Sequence, residues 1–371
     1  MISVIGGGPA GNYTAYLLAK AGKKVEVFEE HRKTGAPVQC TGLTTSLLSN
    51  LVPIAKEYLV NKITRTKVYS PNGDFVEIPL KDNYVVNREF FDTYLANKAM
   101  DKGAEYHFGK RFISCKEGKQ ITMQFNDNSE KQTDTLIGAD GPSSLVARSV
   151  NLFGKRDFYI GMQARVKLET EKDLIGFYLG EDWFGWIVPE DEKFVRLGIC
   201  AKTDANKHFT NFINKVSSKK DIIEWQSGII PIYNPKLQTQ KDNVYLIGDA
   251  ATMVKATTHG GIVPHLQAAE ELAKAITENK SYEALWKKRI GKELWLSLLM
   301  RRTLDKFSAK DYNDLINMVK REKIKQIITE ADRDRPSKMV PQLLLAEPRF
   351  LKYSFKGIQA LLNINILGLK P

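Results

Sequence analysis

The sequence predicts an α/β protein with a helical C-terminal region, on three observations. The apolar run Met1–Ile5 leads into the turn GGGPAG, a helical stretch and a second apolar run, KKVEVFEE. Two later apolar runs end in acidic turns, DTLIGADGPSS and VYLIGDAA, and the second feeds a long helical stretch. After residue 280 the pattern turns helical and basic.

The first element is a short buried strand, Met1–Ile5. Gly6, Gly8 and Gly11 then give GxGxxG, Pro9 and Ala10 open a helix reaching about Ala21, and Gly22 closes it. Gly6 permits the strand-to-helix turn, Gly8 lets backbone approach a pyrophosphate, and Gly11 lets helix pack on strand. The helix N-terminus offers N–H groups and a positive dipole to phosphate. Glu29 ends the second strand, 18 residues after Gly11, where a carboxylate can accept from both hydroxyls of a ribose. Strand, turn, helix and acid in this order point to a dinucleotide.

Composition bounds the rest. The 371 residues suffice for one large domain or two closely joined ones, and a hydrophobic fraction of 43% argues against wholesale disorder. No apolar run is long enough to span a bilayer, and the immediate opening strand leaves no room for a signal peptide. Cys40, Cys115 and Cys200 are far apart, which fits a reducing, cytoplasmic setting rather than a disulfide framework. The five histidines and three cysteines show no metal-ligand spacing, so no metal is expected. The net charge of +12 comes mostly from dispersed lysines, which reads as a solvated surface. No basic–aromatic RNA motif is present, so no nucleic-acid partner is expected.

Three later stretches narrow the dinucleotide. YVVNREFFDTYLANKAMDKGAEYHFGKRF carries Arg88 ahead of a helix with Phe91, Leu95 and Ala99 at helical spacing. DTLIGADGPSSLVAR ends in Asp140 and Gly141, with Ser144 and Arg148 behind. In the third, Asp249 ends a strand where it suits a ribityl hydroxyl. Gly260, Gly261 and the next helix N-terminus suit a flavin's polar edge.

Together GGGPAG with its glutamate, NREFFD, GADGPSS and GDAA resemble the flavoprotein superfamily of para-hydroxybenzoate hydroxylase type, over about residues 1–275. The resemblance implies FAD in a split Rossmann-type FAD-binding domain with an inserted mixed β-sheet substrate domain. On it, residues 1–65, 85–155 and 240–280 form the discontinuous FAD-binding domain, 66–84 and 156–239 the substrate domain, and 281–371 the helical C-terminal region. It places Gly6, Gly8, Ala10, Gly11 and Glu29 in the dinucleotide fold, Arg88 and the Phe112 backbone at the FAD, and Asp140 at the mid-chain aspartate. Asp249, Gly260, Gly261 and Ile262 fall in the ribityl and isoalloxazine loop.

GAPVQCTGLTTSLL and GFYLGEDWFGWIVPEDEKFVRLGICA are similar to the geranylgeranyl reductase family, most of all its archaeal lipid-directed members. That resemblance implies saturation of isoprenoid double bonds on geranylgeranyl chains of membrane lipids or their precursors. Trp186 and Pro189 stand where the family has its tryptophan and last proline, and Cys40 and Thr41 occupy its cysteine–glycine loop at the cofactor. Glu181, Phe184, Val188, Thr252, Ala256 and His259 depart from its pattern.

The chemistry calls for a greasy site. Charge developing at a branched alkene carbon is eased by aromatic faces, for which Tyr178, Phe184 and Trp186 are the candidates, beside Phe177 and Trp183. The alternative for the group is ordinary sheet packing. At ~0.8 kcal/mol per methylene, a chain of some twenty carbons offers on the order of ten kcal/mol before binding costs. Cys40 is a candidate proton donor, or it lines the site through its backbone. His259 is a candidate proton relay, the alternative being a loop histidine facing water; His265 reads as a packing or capping residue.

The alternative activity is an FAD-dependent monooxygenase or halogenase of a hydrophobic ring, and a third reading is a non-catalytic flavoprotein scaffold. NAD(P)H, a ferredoxin or a deazaflavin all stay open as electron donor. The basic segment LWKKRIGKELWLSLLMRRTLDKF suits either a lipid surface or a helix whose apolar stripe covers the FAD domain, the second being preferred. A lipid substrate would place the protein in the cytoplasm with peripheral contact at the inner face of an anionic membrane. Pro341 and Pro348 are expected to break the apolar tail into short helices.

Overall fold

Strand Ile2–Ile5 is buried at every position and lies inside a six-stranded sheet. The strand order is Gln240–Lys241, Val244–Leu246, Thr135–Gly138, Ile2–Ile5, Val25–Glu29, Glu105–Phe108. Every pairing is parallel except the one made by the edge strand Gln240–Lys241. Every position of Ile2–Ile5 and Val25–Glu29 is buried, as expected of parallel strands covered on both faces, the polar Ser3, Glu26 and Glu29 included. Helix Pro9–Lys20 packs on this sheet, and helix Ile262–Glu278 packs against that helix. Helix Arg88–Met100 joins them, its start fixed by the Asn87 side chain accepting from the Phe90 N–H at 3.2 Å, a cap worth ~1 kcal/mol. The computed structural model describes residues 1–217 and 222–353.

The second sheet has eight strands, in the order Ile222–Pro231, Phe158–Lys167, Phe194–Ala201, Trp183–Pro189, Leu174–Leu179, Leu59–Tyr69, Phe75–Val86, Leu43–Thr44. It is antiparallel apart from the pairing of Leu174–Leu179 with Leu59–Tyr69. The sheet thus draws in Leu43–Thr44 and the start of Leu59–Tyr69, ahead of position 66. The long hairpin of Leu59–Tyr69 with Phe75–Val86 holds them there. One face carries Ile63, Val85, Trp186 and Val188; the other, with Val166, Leu197 and Ile199, is covered by helix Ala205–Val216 through Phe209 and Phe212.

Beyond residue 280, Trp286, Ile290, Leu294 and Leu298 sink into the same core as the six-stranded sheet. The apolar stripe of the basic segment therefore covers that core. Helices Ala309–Val319 and Glu322–Glu330 cover the hairpin strand Phe75–Val86 through Ile316 and Ile324. Pro341 does not break the chain: it lies inside helix Pro336–Ala346. It is the sixth of that helix's eleven residues and forfeits the backbone bond to Ser337, while Leu343 and Ala346 pack on the cluster of Val76 and Ile316. A new turn, Pro348–Phe350, does begin at the second proline. The tail beyond residue 353 lies outside the described residues.

Candidate functional site

A cavity of about 840 Å³ touches the glycine turn, the second sheet and the C-terminal helices. That is within the usual size of cofactor and substrate pockets. Gly6, Gly8 and Ala10 lie on its wall. The helix begins at Gly8 without a side-chain cap or an acid in its first turn, which leaves its positive end to a ligand. A Cβ on Gly8 would meet nothing within 4 Å, so this glycine faces open space. On Gly11 a Cβ would fall 2.0 Å from the Gly6 carbonyl oxygen, so that glycine serves packing. The Gly7 N–H donates to Glu29 Oε2 at 2.6 Å, and the His31 N–H to Glu29 Oε1 at 2.9 Å. The His31 ring Nδ1 also lies 2.6 Å from Oε1, so Glu29 is held on the wall with one lone pair to spare.

Arg88 reaches Asp92 through two bonds of 3.1 and 2.8 Å. Burial works against its charge, but the Asp92 carboxylate and Cys40 outweigh that and raise its basicity. Cys40 is half-buried on the wall, its Sγ accepting from the Gly42 N–H at 3.3 Å. Asp140 accepts from Ser144 Oγ at 2.6 Å and from the Val146 N–H at 3.0 Å, and burial pushes its carboxyl up. Phe112 reaches the wall while its ring packs edge-on against Phe125. Asp249, Gly260, Gly261 and Ile262 line the opposite side. A Cβ on Gly261 would lie 2.5 Å from the His265 ring, whose Nε2 is 3.3 Å from Asp249 Oδ1. His265 packs under the loop, as its position suggested.

The second sheet supplies the other wall. Trp186 Nε1 donates to Gln163 Oε1 at 3.0 Å, and Thr41 Oγ1 donates to the same oxygen at 2.6 Å. Gln163 in turn donates to Gln226 Oε1 at 2.6 Å. The indole lies across Gly198, where a Cβ would come within 2.4 Å of it. Phe177, Phe184 and Trp186 face the cavity; Tyr178 does not. Side chains alternate along a strand, and Tyr178 stacks on Tyr69 at 4.6 Å and meets Phe212 on the far face. Trp183 packs there too, so the aromatic stretch divides between the site and ordinary packing.

His259 does not face water. Its backbone is left-handed, with φ +53°, and its ring is held against Phe184 and Tyr159. Both ring nitrogens are buried and without a partner among the described residues. Burial, with Arg301 and Lys202 nearby, pushes its pKa down to about 3. The ring therefore rests neutral at ordinary pH.

Sequence reasoning missed several wall residues. Arg301 is buried and bonds Asp305 at 2.8 Å. Its signal was spacing, since it falls on the buried face shared by Leu294 and Leu298. Gln163 is a polar residue inside the largely apolar run YIGMQA, which was the available signal. Lys255 and Arg333 also line the cavity; Arg333 sits in a polar loop with nothing local to mark it.

The open glycine turn, the oriented Glu29 and the cavity size fit FAD. The family described as FAD binding domain matches residues 1–226. The chain is similar to digeranylgeranylglycerophospholipid reductase 2 of Methanopyrus kandleri, at 26% identity over 95% of this chain and 98% of that one. It is also similar to digeranylgeranylglycerophospholipid reductase 2 of Methanothermobacter thermautotrophicus, at 29% identity over 85% of this chain and 90% of that one. Among solved structures, a geranylgeranyl bacteriochlorophyll reductase-like protein of Thermoplasma acidophilum superposes with a TM-score of 0.82 at 21% identity, over 95% and 97% of the two chains. A flavin-dependent brominase shares the fold at a TM-score of 0.69 and 17% identity, over 88% and 92%.

Proposed function

We propose, from the premise that this chain belongs to the FAD binding domain family, that it saturates isoprenoid C=C bonds on geranylgeranyl chains of membrane lipids or their precursors. The observation that carries this reading is the single cavity joining the glycine turn to a wall of Phe177, Leu179, Phe184, Trp186 and Val188. An apolar chain laid on that wall meets the cofactor end of the same space. The reductase names of the relatives from Methanopyrus and Methanothermobacter support it.

Gly8, the bare helix end, Glu29, Arg88 and Asp249 are the residues we assign to holding FAD. When bound and reduced, FAD supplies hydride. The chain's own residues do the rest. Trp186, pinned by Gln163, offers a fixed aromatic face to positive charge developing on the alkene. We assign proton delivery to Cys40 Sγ–H, whose departing proton leaves an anion facing the Arg88 charge. Neutral His259 keeps a ring N–H and a bare nitrogen available without adding charge to an apolar wall.

Such a substrate calls for a peripheral meeting with a membrane. The net charge of +12 and the exposed Ile223, Trp225 and Ile229 on the edge strand support contact with anionic lipid. Among the described residues no helix is long and apolar enough to cross a bilayer.

Dithionite-reduced protein incubated anaerobically with a geranylgeranyl lipid should yield products heavier by two mass units per bond saturated. Product that forms only with oxygen present would sink the reading in favour of a monooxygenase or halogenase.

A further inference from the structure

Arg196 is buried on strand Phe194–Ala201, two residues from Gly198 and on the same face as it. The Trp186 indole lies across that face at Gly198. A buried guanidinium needs a counter-charge and further acceptors, and Arg196 has both. Its Nε donates to Glu190 Oε1 at 2.8 Å, with each side chain only 10% exposed. The second Glu190 oxygen accepts from Arg165 Nε at 2.6 Å, so the carboxylate is fixed from two sides.

The other end of Arg196 reaches out of its sheet. Its Nη1 donates to the Thr41 carbonyl at 2.5 Å and to the Val86 carbonyl at 2.9 Å. Thr41 follows Cys40, and Val86 precedes Asn87, the cap of helix Arg88–Met100. One nitrogen thus ties the cysteine segment to the chain that leads into Arg88. The two segments also bond directly, the Val86 N–H donating to the Gly42 carbonyl at 2.9 Å. Gly42 has φ +71°, and a Cβ there would fall 2.2 Å from the Val86 oxygen and 2.9 Å from Arg196 Nη1. The segment is seated on the guanidinium without slack, and only glycine permits that seat. Cys40 Sγ accepts from the N–H of the same Gly42, so the place of the thiol follows from the seat of the next two residues.

We infer that Arg196, anchored by Glu190, is a positioning residue that sets Cys40 Sγ against the Arg88 charge and so aims the thiol for proton delivery. Arg196 does not line the cavity and acts through the segment it holds. This role rests on the reductase reading and deepens it, by naming what keeps its proton donor in place.

The test uses the FAD-loaded protein and two readouts. One is alkylation of Cys40 by iodoacetamide, followed by mass on the peptide that carries it. The other is steady-state reduction of a geranylgeranyl lipid with dithionite. Cys115 and Cys200 are buried and Cys40 is not, so the reagent meets Cys40 first. Arg196→Met should slow alkylation several-fold, because the thiol loses the facing charge that favours thiolate. It should lower kcat roughly tenfold or more while KM and FAD content hold. Arg196→Lys keeps the charge without the fork and should recover part of both losses. Arg65→Met strips an ion-pair network with Asp173, Glu171 and Glu77 from the same sheet and should move neither readout. Unchanged alkylation and kcat in Arg196→Met, or equal changes in Arg65→Met, would overturn the role. If Arg196→Met does not fold, Glu190→Gln loosens the same anchor, and unchanged alkylation there would overturn it too. Should alkylation track Arg196 while no protein, wild type included, reduces the prenyl chain, the reductase reading fails and the positioning of Cys40 stands.

Discussion

The imidazole of His259 lies nearly parallel to the ring of Phe184, with centroids 5.1 Å apart and planes 12° apart. Tyr159 closes the other approach edge-on at 4.3 Å. Held this way, His259 resists its proton down to about pH 3, whereas an unfolded chain takes it near 6.5. The unfolded state therefore binds more protons between those values. Stability from this residue is complete above pH 6.5 and drains away as the pH falls, by about 2 kcal/mol at pH 5. Melting temperatures taken from pH 7.5 to 5 should fall, and His259→Asn, which tolerates a left-handed backbone but does not titrate, should flatten the slope. An equal slope in both proteins would refute the assignment.

Gly8 and Gly11 should fail differently. Gly8→Val projects into open space, so the fold should persist with its melting temperature nearly unchanged while bound flavin is lost. Gly11→Ala drives a methyl into the Gly6 carbonyl and should destabilise by ~2 kcal/mol or more. Flavin absorbance and thermal unfolding of the two variants separate ligand approach from packing.

Phe177 and Tyr178 are neighbours in sequence on opposite faces of one strand. Phe177→Ala enlarges the cavity and should raise KM for a prenyl chain several-fold. Tyr178→Ala removes the stack on Tyr69 and the contact with Phe212. Its cost should appear in stability, at about 3 kcal/mol, with KM little changed.

Gln163 holds Trp186 and Thr41 through one oxygen. Gln163→Leu strands the indole N–H, the Thr41 hydroxyl and Gln226, at ~2 kcal/mol of stability. It should also release the indole from its fixed tilt, lowering kcat more than Trp186→Phe raises KM. Tryptophan fluorescence anisotropy together with steady-state kinetics would check both.

How far the sequence could be read depends on the range of the interaction. The glycine turn, its helix and Glu29 lie within one short βαβ unit, so spacing alone placed them. Facing within the aromatic stretch was legible in principle from alternation, yet Tyr178 was misassigned because the strand's apolar residues occupy both faces. Burial of His259 depends on Tyr159 and Phe184 arriving from distant strands, and nothing local announces them. Arg333 meets Asn83 across 250 positions of chain, a contact that only the folded topology creates.

Strand Ile2–Ile5 takes its neighbour from Thr135–Gly138, which in turn pairs with Val244–Leu246. On the ribosome this strand must therefore wait, one edge bare, for residues near 135, and the parallel part of the sheet is not finished until residue 246 emerges. Such long-range parallel pairing is slow, and the waiting edges invite contacts with other nascent chains. A truncated chain ending at residue 226 would keep the family's signature and lack both that last strand and the Gly260 loop. It should accumulate as aggregate rather than as a smaller flavoprotein.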